Sequence, residues 1–207
     1  MGGGGHSKVI IDMVERAGKF EIQGILDDFK SIDENILGYS VFRELKCDFD
    51  INIVVGIGDN FRRSEIVNKL RIQYSNCRFP SVIHPSAQIG SDVYIGEGTV
   101  VMPGVVINSG STIGKFCIIN TSSSVDHDCV LGNYASIAPG ATLGGCVKVG
   151  EFSAVSLGAK VIHSIRIGDH TVVGAGALVL SDIPERVVAF GSPCEVRNVR
   201  RMGEAYL

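Results

Sequence analysis

The sequence has no tryptophan, aromatic residues make up only 7% of it and charged residues 20%. A disordered chain has few apolar residues and many charges, so this chain of 207 residues, 45% hydrophobic, has the means to build a core. Long apolar runs are absent as well. No stretch approaches the roughly 18–20 residues that span a bilayer, and the first residues carry no basic-then-apolar leader. The expectation is a soluble, cytoplasmic protein without membrane insertion. Runs of Lys or Arg stop at two residues and the net charge is −3, which removes the electrostatic footprint of a nucleic-acid binder. The six cysteines, Cys47, Cys77, Cys117, Cys129, Cys146 and Cys194, never fall at C-x-x-C spacing. A chain of this length needs no disulfide staples, so they read as reduced thiols, some of them buried as small hydrophobes.

What is abundant is glycine, at 26 residues, together with aliphatic residues set to a clock. Counting from Ile89 in steps of six gives Ile95, Val101, Ile107, Ile113, Ile119, Val125, Leu131, Ile137, Leu143, Val149, Val155, Val161, Ile167, Val173 and Val179. All sixteen are aliphatic, although Ile, Val and Leu together supply only 58 of the 207 residues. Two residues before each stands a mostly small one, from Ala87 and Val93 to Thr171 and Ala177. In eight of the sixteen cases a glycine follows, which suggests a corner with unusual backbone angles. Short strands that turn every six residues are the hexapeptide signature of a parallel β-helix. Three faces of six residues make a coil of eighteen, and sixteen hexads make about five coils.

The first 80 residues read differently. Val9, Ile10, Met13, Val14 and Ala17 have helical spacing over Lys8 to Ala17, apolar runs follow at Ile22 to Leu26 and Ile51 to Ile57, and a second helix is predicted around Ser64 to Leu70. Alternating strand and helix predict a small α/β, Rossmann-like unit over 1–80. The β-helix then occupies 81–181 and a C-terminal cap 182–207. Pro80 and Pro85 bracket the joint.

Gly2 to Gly5 before a helix could aim backbone N–H groups at phosphate. A dinucleotide fingerprint places a strand before its glycines, and only Met1 precedes these, so a flexible glycine-rich start is the competing reading. Asp27 and Asp28 end one strand and Gly56 to Asn60 end the next, where α/β sheets collect ligands. Together they favour a nucleotide-like ligand. In the second half His127 lies between Asp126 and Asp128, and the clock turns all three outward at a corner. A carboxylate beside an imidazole fixes its tautomer and raises its basicity, which equips a general base. Eighteen residues on, Gly145 stacks over His127 at about 4.8 Å and could offer its N–H to an oxyanion. A merely solvated polar corner explains the same spacing. His163, a further coil on, raises a zinc reading in which a third ligand comes from a neighbouring subunit, but Gly168 and the phase of His170 leave no such ligand, and no metal is expected.

Gly3-Gly4-Gly5-His6, Leu26-Asp27-Asp28-Phe29, Gly56-Ile57-Gly58-Asp59-Asn60, Ile83-His84-Pro85-Ser86-Ala87, Asn120-Thr121-Ser122-Ser123 with Asp126-His127-Asp128-Cys129, and Gly191-Ser192-Pro193 resemble the hexapeptide-repeat sugar O- and N-acyltransferases of the sialic acid O-acetyltransferase type. Among these the chain is most similar to the bacterial UDP-4-amino-sugar N-acetyltransferases of the bacillosamine pathway. The resemblance implies a left-handed β-helix, a homotrimer, acetyl-CoA in the groove between subunits and a nucleotide sugar on the α/β unit. It implies His127 as base, Asp128 as the group that strengthens it and Gly145 as the oxyanion amide. Gly4, Gly5, His6, Asp27, Asp28 and Gly58 match nucleotide-sugar contacts, and Ser136, Leu157 and Ala175 match acetyl-CoA contacts. Cys194-Glu195 departs from the family's Ala-Lys, and Arg197, Arg200 and Arg201 are the cations left to meet a CoA phosphate. The implied reaction is direct acetyl transfer to the 4-amino group of a nucleotide-linked deoxy sugar. Cys129, phased inward, is no nucleophile. Sugar O-acetylation, a zinc hydratase of the β-helical carbonic anhydrase type and a non-catalytic trimer are the alternatives.

Overall fold

A computed structural model describes residues 2–45 and 50–205. Cys47 lies outside the described residues.

From Val82 onward the chain winds as a solenoid of two-residue parallel strands. One face runs from Val82–Ile83 to Val172–Val173, a second from Gln88–Ile89 to Leu178–Val179, and a third from Tyr94–Ile95 to Arg166–Ile167. Partners in every ladder are eighteen residues apart, as in Val106 with Ser124 and Ile107 with Val125. The coil length read from the sequence is therefore the observed register, and the strand count gives between five and six coils. The clock residues from Val101 to Val179 are all buried, whereas Ile89 and Ile95 sit in the first, open coil and stay partly exposed. The small positions from Thr99 to Ala177 are buried with them. Each fully buried aliphatic side chain contributes about 1.5–3 kcal/mol relative to exposure, so the stacked rows carry the solenoid.

The polar members of the small row are tied coil to coil. Ser111 Oγ donates to Asp126 O at 2.8 Å and accepts from Cys129 N at 3.1 Å, and Thr99 bridges Gly114 O and Cys117 N in the same way. Cys129 continues this pattern, donating its S–H to Gly144 O at 3.2 Å.

One expectation is overturned. The glycines that follow the clock residues are not the ones in left-handed backbone; that conformation falls two residues later, at Gly98, Gly104, Gly110, Phe116, Ser122, Asp128, Tyr134 and onward at the same interval. At Gly96 an added Cβ would meet the backbone of Gly114 at 2.7 Å. Close stacking of successive coils, not backbone angle, demands glycine there.

The N-terminal unit is built on α1 (Gly5–Ala17) and α2 (Asn60–Gln73). Helix α1 turns Ile10, Met13 and Val14 into the same core as Val82 and Val100, closing the open end of the solenoid. Its other side, Ile11, packs with Ile25, Ile36 and Val41. The expected strands are short: Ile25–Leu26 pairs with Tyr39–Phe42, which also pairs with Asn35–Ile36, while Ile51–Asn52 pairs separately with Cys77–Arg78. These two small sheets do not pair with each other, and an apolar groove of about 490 Å³ lined by Ile10, Ile11, Val14, Ile22, Leu26 and Ile53 lies between them. Helix α2 is longer than predicted because Asp59 caps it, accepting from Arg62 N at 2.9 Å. It packs Val67 and Leu70 against Phe79 and Phe116. Beyond the last coil, Val187–Gly191 and Cys194–Val199 form an antiparallel hairpin that extends the first face and adds Val187, Ala189 and Cys194 to the core.

Candidate active site

His127 stands at the corner between the second and third faces, its side chain 58% exposed. Its Nδ1 lies 2.8 Å from Asp128 Oδ2. An ionised carboxylate can only accept, so the proton sits on Nδ1 and Nε2 keeps a free lone pair. The Asp128 hydrogen bond, with the charge of Asp126 behind it, holds His127 above the usual imidazole range. Asp126 is fixed in turn: its Oδ1 accepts from Asn108 Nδ2 and from His127 N, each at 2.8 Å. Those two hydrogen bonds hold Asp126 below the usual carboxylate range. The sequence reading missed Asn108, which the eighteen-residue spacing beneath Asp126 could have revealed.

Gly145 is where the spacing put it. A Cβ built there would lie 2.5 Å from His127 Nε2, so the free nitrogen faces the glycine one coil above. The amide at this place in the repeat stays out of the ladder. Thr121 and His127 give theirs to the side chain of the preceding residue, Asn120 or Asp126, while Lys115 and Glu151 give theirs to Asn133 or Asp169 one coil on. Before Gly145 stands Gly144, with no side chain to accept, and one coil on stands His163. The Gly145 N–H has no acceptor among the described residues, and the edge of the His127 ring that carries Nε2 lies against this glycine. An imidazole lone pair and an amide without an acceptor at one corner are the groups that acyl transfer can use. Cys129 sits inside the corner, and burial pushes its thiol up to about 11. It is held as a protonated donor, not poised as a nucleophile.

The second constellation gathers where both helices begin. A cavity of about 560 Å³ is lined by Gly2 to His6, by Asp27, by Gly56 to Asp59 and by residues of α2 and the C-terminal tail. The N-termini of α1 and α2 both open onto it, an arrangement that favours anions. Asp27 supports the loop, with Oδ2 accepting from Gly3 N at 2.6 Å and Oδ1 from Phe29 N and Lys30 N. Partial burial raises its pKa, but those three N–H groups outweigh it and the net shift is downward. His6 Nε2 is buried with no hydrogen-bond partner among the described residues. Burial, reinforced by the charge of Arg63, lowers its pKa to about 4, so the ring is neutral near pH 7.

Gly4, Gly5, His6, Asp27 and Gly58 thus share one cavity. Asp28 does not join them: it turns outward to Lys69 Nζ at 2.6 Å. Leu157 and Ala175 are exposed, one above the other, at the corner between the first and second faces. Ser136 is apart from them, buried against α2, where it bonds Asn60 Oδ1 at 2.5 Å. Of the tail cations, Arg197 pairs with Glu195 at 3.1 Å and Arg200 is buried, donating to His170 O at 3.1 Å.

Arg63 links the two constellations, and sequence reading missed it entirely. It is 1% exposed, yet it donates to Ile57 O and Gly58 O at the cavity and to Phe116 O and Tyr134 O on the solenoid, all within 3.0 Å. Beside it the rings of Phe116, Tyr134, Phe152 and His170 stack one per coil, with centroids 4.7–5.2 Å apart.

A parallel β-solenoid with this corner, joined to an α/β unit with an anion-favouring cavity, defines a hexapeptide-repeat acyltransferase. Residues 1–70 match the PglD N-terminal domain and residues 110–145 the bacterial transferase hexapeptide. Over 108 residues the chain is 36% identical to the UDP-N-acetylbacillosamine N-acetyltransferase of Bacillus subtilis, a match that spans 49% of each protein. It is also 36% identical to PerB of Caulobacter crescentus, solved with CoA and GDP-perosamine, over 95% of both chains with a TM-score of 0.84. With the acetyltransferase domain of PglB from Neisseria gonorrhoeae it shares 32% identity over 95% of this chain and 97% of that one, with a TM-score of 0.87. The chain belongs to the family of hexapeptide-repeat sugar N-acetyltransferases, and its solenoid is the left-handed β-helix of that family.

Proposed function

We propose that the protein transfers an acetyl group from acetyl-CoA to the 4-amino group of a nucleotide-linked amino-deoxy sugar, with UDP as the nucleotide. The observation that carries this reading is the exposed His127, its Nδ1 held by Asp128 and its Nε2 edge set against Gly145, whose amide has no acceptor among the described residues. The sugar amine approaches His127 from its exposed side as a nucleophile, His127 Nε2 takes its proton as nitrogen attacks the thioester carbon, and Gly145 N–H donates to the developing oxyanion. Collapse of the tetrahedral intermediate expels CoA thiolate, which takes up a proton. Asp128 holds the imidazole in the tautomer this needs and stabilises the imidazolium, while Asp126, anchored by Asn108, fixes the loop. No covalent enzyme intermediate is required.

The nucleotide sits in the cavity at the two helix N-termini, with Gly4, Gly5, His6 and Gly58 around its phosphates and Asp27 shaping the loop. Asp28, tied to Lys69, reaches the sugar only if that ion pair opens. A convex corner encloses nothing by itself. A homotrimer therefore completes the site, a neighbouring copy supplying the opposite wall of a groove in which acetyl-CoA runs past Leu157 and Ala175, with Ser136 supporting the groove from the α2 side. Support for a nucleotide-sugar acceptor comes from the relatives, one named for a UDP sugar and one solved with a GDP sugar. The test is product analysis by mass spectrometry after incubation with acetyl-CoA and UDP-, GDP- or dTDP-linked 4-amino sugars, with free sialic acid alongside. An N-acetylated UDP sugar is expected. Turnover of the GDP sugar alone would refute the nucleotide assignment, and turnover of sialic acid alone would make the enzyme an O-acetyltransferase.

A further inference from the structure

The stacking that brings Gly145 over His127 also brings a thiol over Asp128. Asp128 and Cys146 occupy the same left-handed position in successive coils, with φ of 57° and 62°, so their side chains leave the corner side by side. Cys146 N donates to His127 O at 2.9 Å, which fixes the spacing. The result is a trio, His127, Asp128 and Cys146, whose donor atoms all lie within 4.8 Å of one another and whose side chains are all exposed. It differs from the zinc reading of the sequence, which paired His127 with His163 and looked to another subunit for the third ligand. Here all three ligands come from one corner of one chain.

We propose that this trio is an inhibitory site for zinc. Imidazole, carboxylate and thiolate are the ligand set zinc prefers, and three protein ligands with water as the fourth complete its tetrahedron. Tetrahedral zinc sets its donors about 3.3–3.7 Å apart, within reach of small side-chain rotations at an exposed corner. Binding requires the thiolate, so Cys146 gives up its proton to solvent. The metal then holds the imidazole that the proposed reaction uses as base. Inhibition rests on the reading of His127 given above; the binding site does not.

The experiment titrates the purified protein with zinc against a chromophoric indicator, in buffer free of chelators and thiols, and measures acetyl transfer in parallel. The expected result is one zinc per chain, at least a tenfold weaker affinity in Cys146→Ala, an unchanged affinity in His163→Ala, and zinc inhibition of the wild type that Cys146→Ala escapes while keeping its basal rate. Cys146→Ala keeps the same backbone geometry and removes no ladder bond, so it tests the thiol alone. Equal zinc affinity in Cys146→Ala and wild type would overturn the site. Zinc bound through Cys146 without slowing turnover would uphold the site and refute His127 as the base.

Discussion

Replacing Gly145 by alanine introduces a single methyl group, and the structure says where it goes. The new Cβ would lie 2.5 Å from His127 Nε2, 2.6 Å from Cε1 and 3.1 Å from Cδ2, whereas ordinary contact begins at 3.4 Å. The imidazole must therefore retreat by nearly 1 Å, and it can, because it stands at an exposed corner. Gly145 is outside the left-handed backbone region, so alanine adds no backbone strain. Stability should change by less than about 1 kcal/mol, below about 4 °C in Tm for a chain of this size. Catalysis should suffer much more. A displacement of about 1 Å at a reacting group costs on the order of 10²-fold, and crowding of the oxyanion donor costs about 10²–10³ in kcat. The assay is thiol release from acetyl-CoA at saturating sugar, with thermal unfolding alongside. A kcat within threefold of wild type would refute the assignment of the His127–Gly145 corner as the reacting site, and a large fall in Tm would mean that the glycine serves packing.

Cys129→Ala should leave kcat unchanged while costing roughly 1 kcal/mol for the lost hydrogen bond to Gly144 O, read by urea unfolding; loss of activity in the folded variant would restore a cysteine nucleophile. Arg63→Ala strips buried carbonyls of their donor and should cost about 3 kcal/mol or more, with a raised KM for the nucleotide sugar; an unchanged urea midpoint would contradict its role as the link between cavity and solenoid. His6 predicts a pH effect on stability. Its folded pKa, about 4 against 6.5 unfolded, means that the unfolded chain binds the extra proton between those values. Its contribution is therefore complete above pH 6.5 and is lost as the pH falls toward 4, by up to roughly 3 kcal/mol. His6→Gln should flatten urea-derived stability over that window, and equal slopes in the two proteins would contradict a buried neutral ring.

The solenoid was legible because its signal is periodic. Sixteen aliphatic residues at one spacing can satisfy only a structure that returns every side chain to the same place, and the eighteen-residue coil then followed from counting. That count also located Gly145 over His127 and could have found Asn108 beneath Asp126, Cys146 over Asp128 and the ladder Phe116, Tyr134, Phe152 and His170. What was illegible is local or polar. The turn at Leu37 uses a left-handed leucine, which no turn preference announces, so the strands on either side of it went unseen. Helix α2 buries Asn60, Arg63 and Ser64, and a helix that buries polar groups against carbonyls leaves no apolar stripe to read. The glycines after the clock residues were seen but misexplained, because closeness of coils is a tertiary fact while backbone angle is the more familiar local reason.

In the proposed mechanism His127 takes the proton of the attacking amine. That step is tested most directly by following thiol release from acetyl-CoA with a UDP-linked 4-amino sugar, in wild type and His127→Ala at equal folded concentration. The expected result is steady release by the wild type and a kcat lower by about 10²–10⁴ in the variant, with its thermal unfolding unchanged. A variant that releases thiol at the wild-type rate would contradict it.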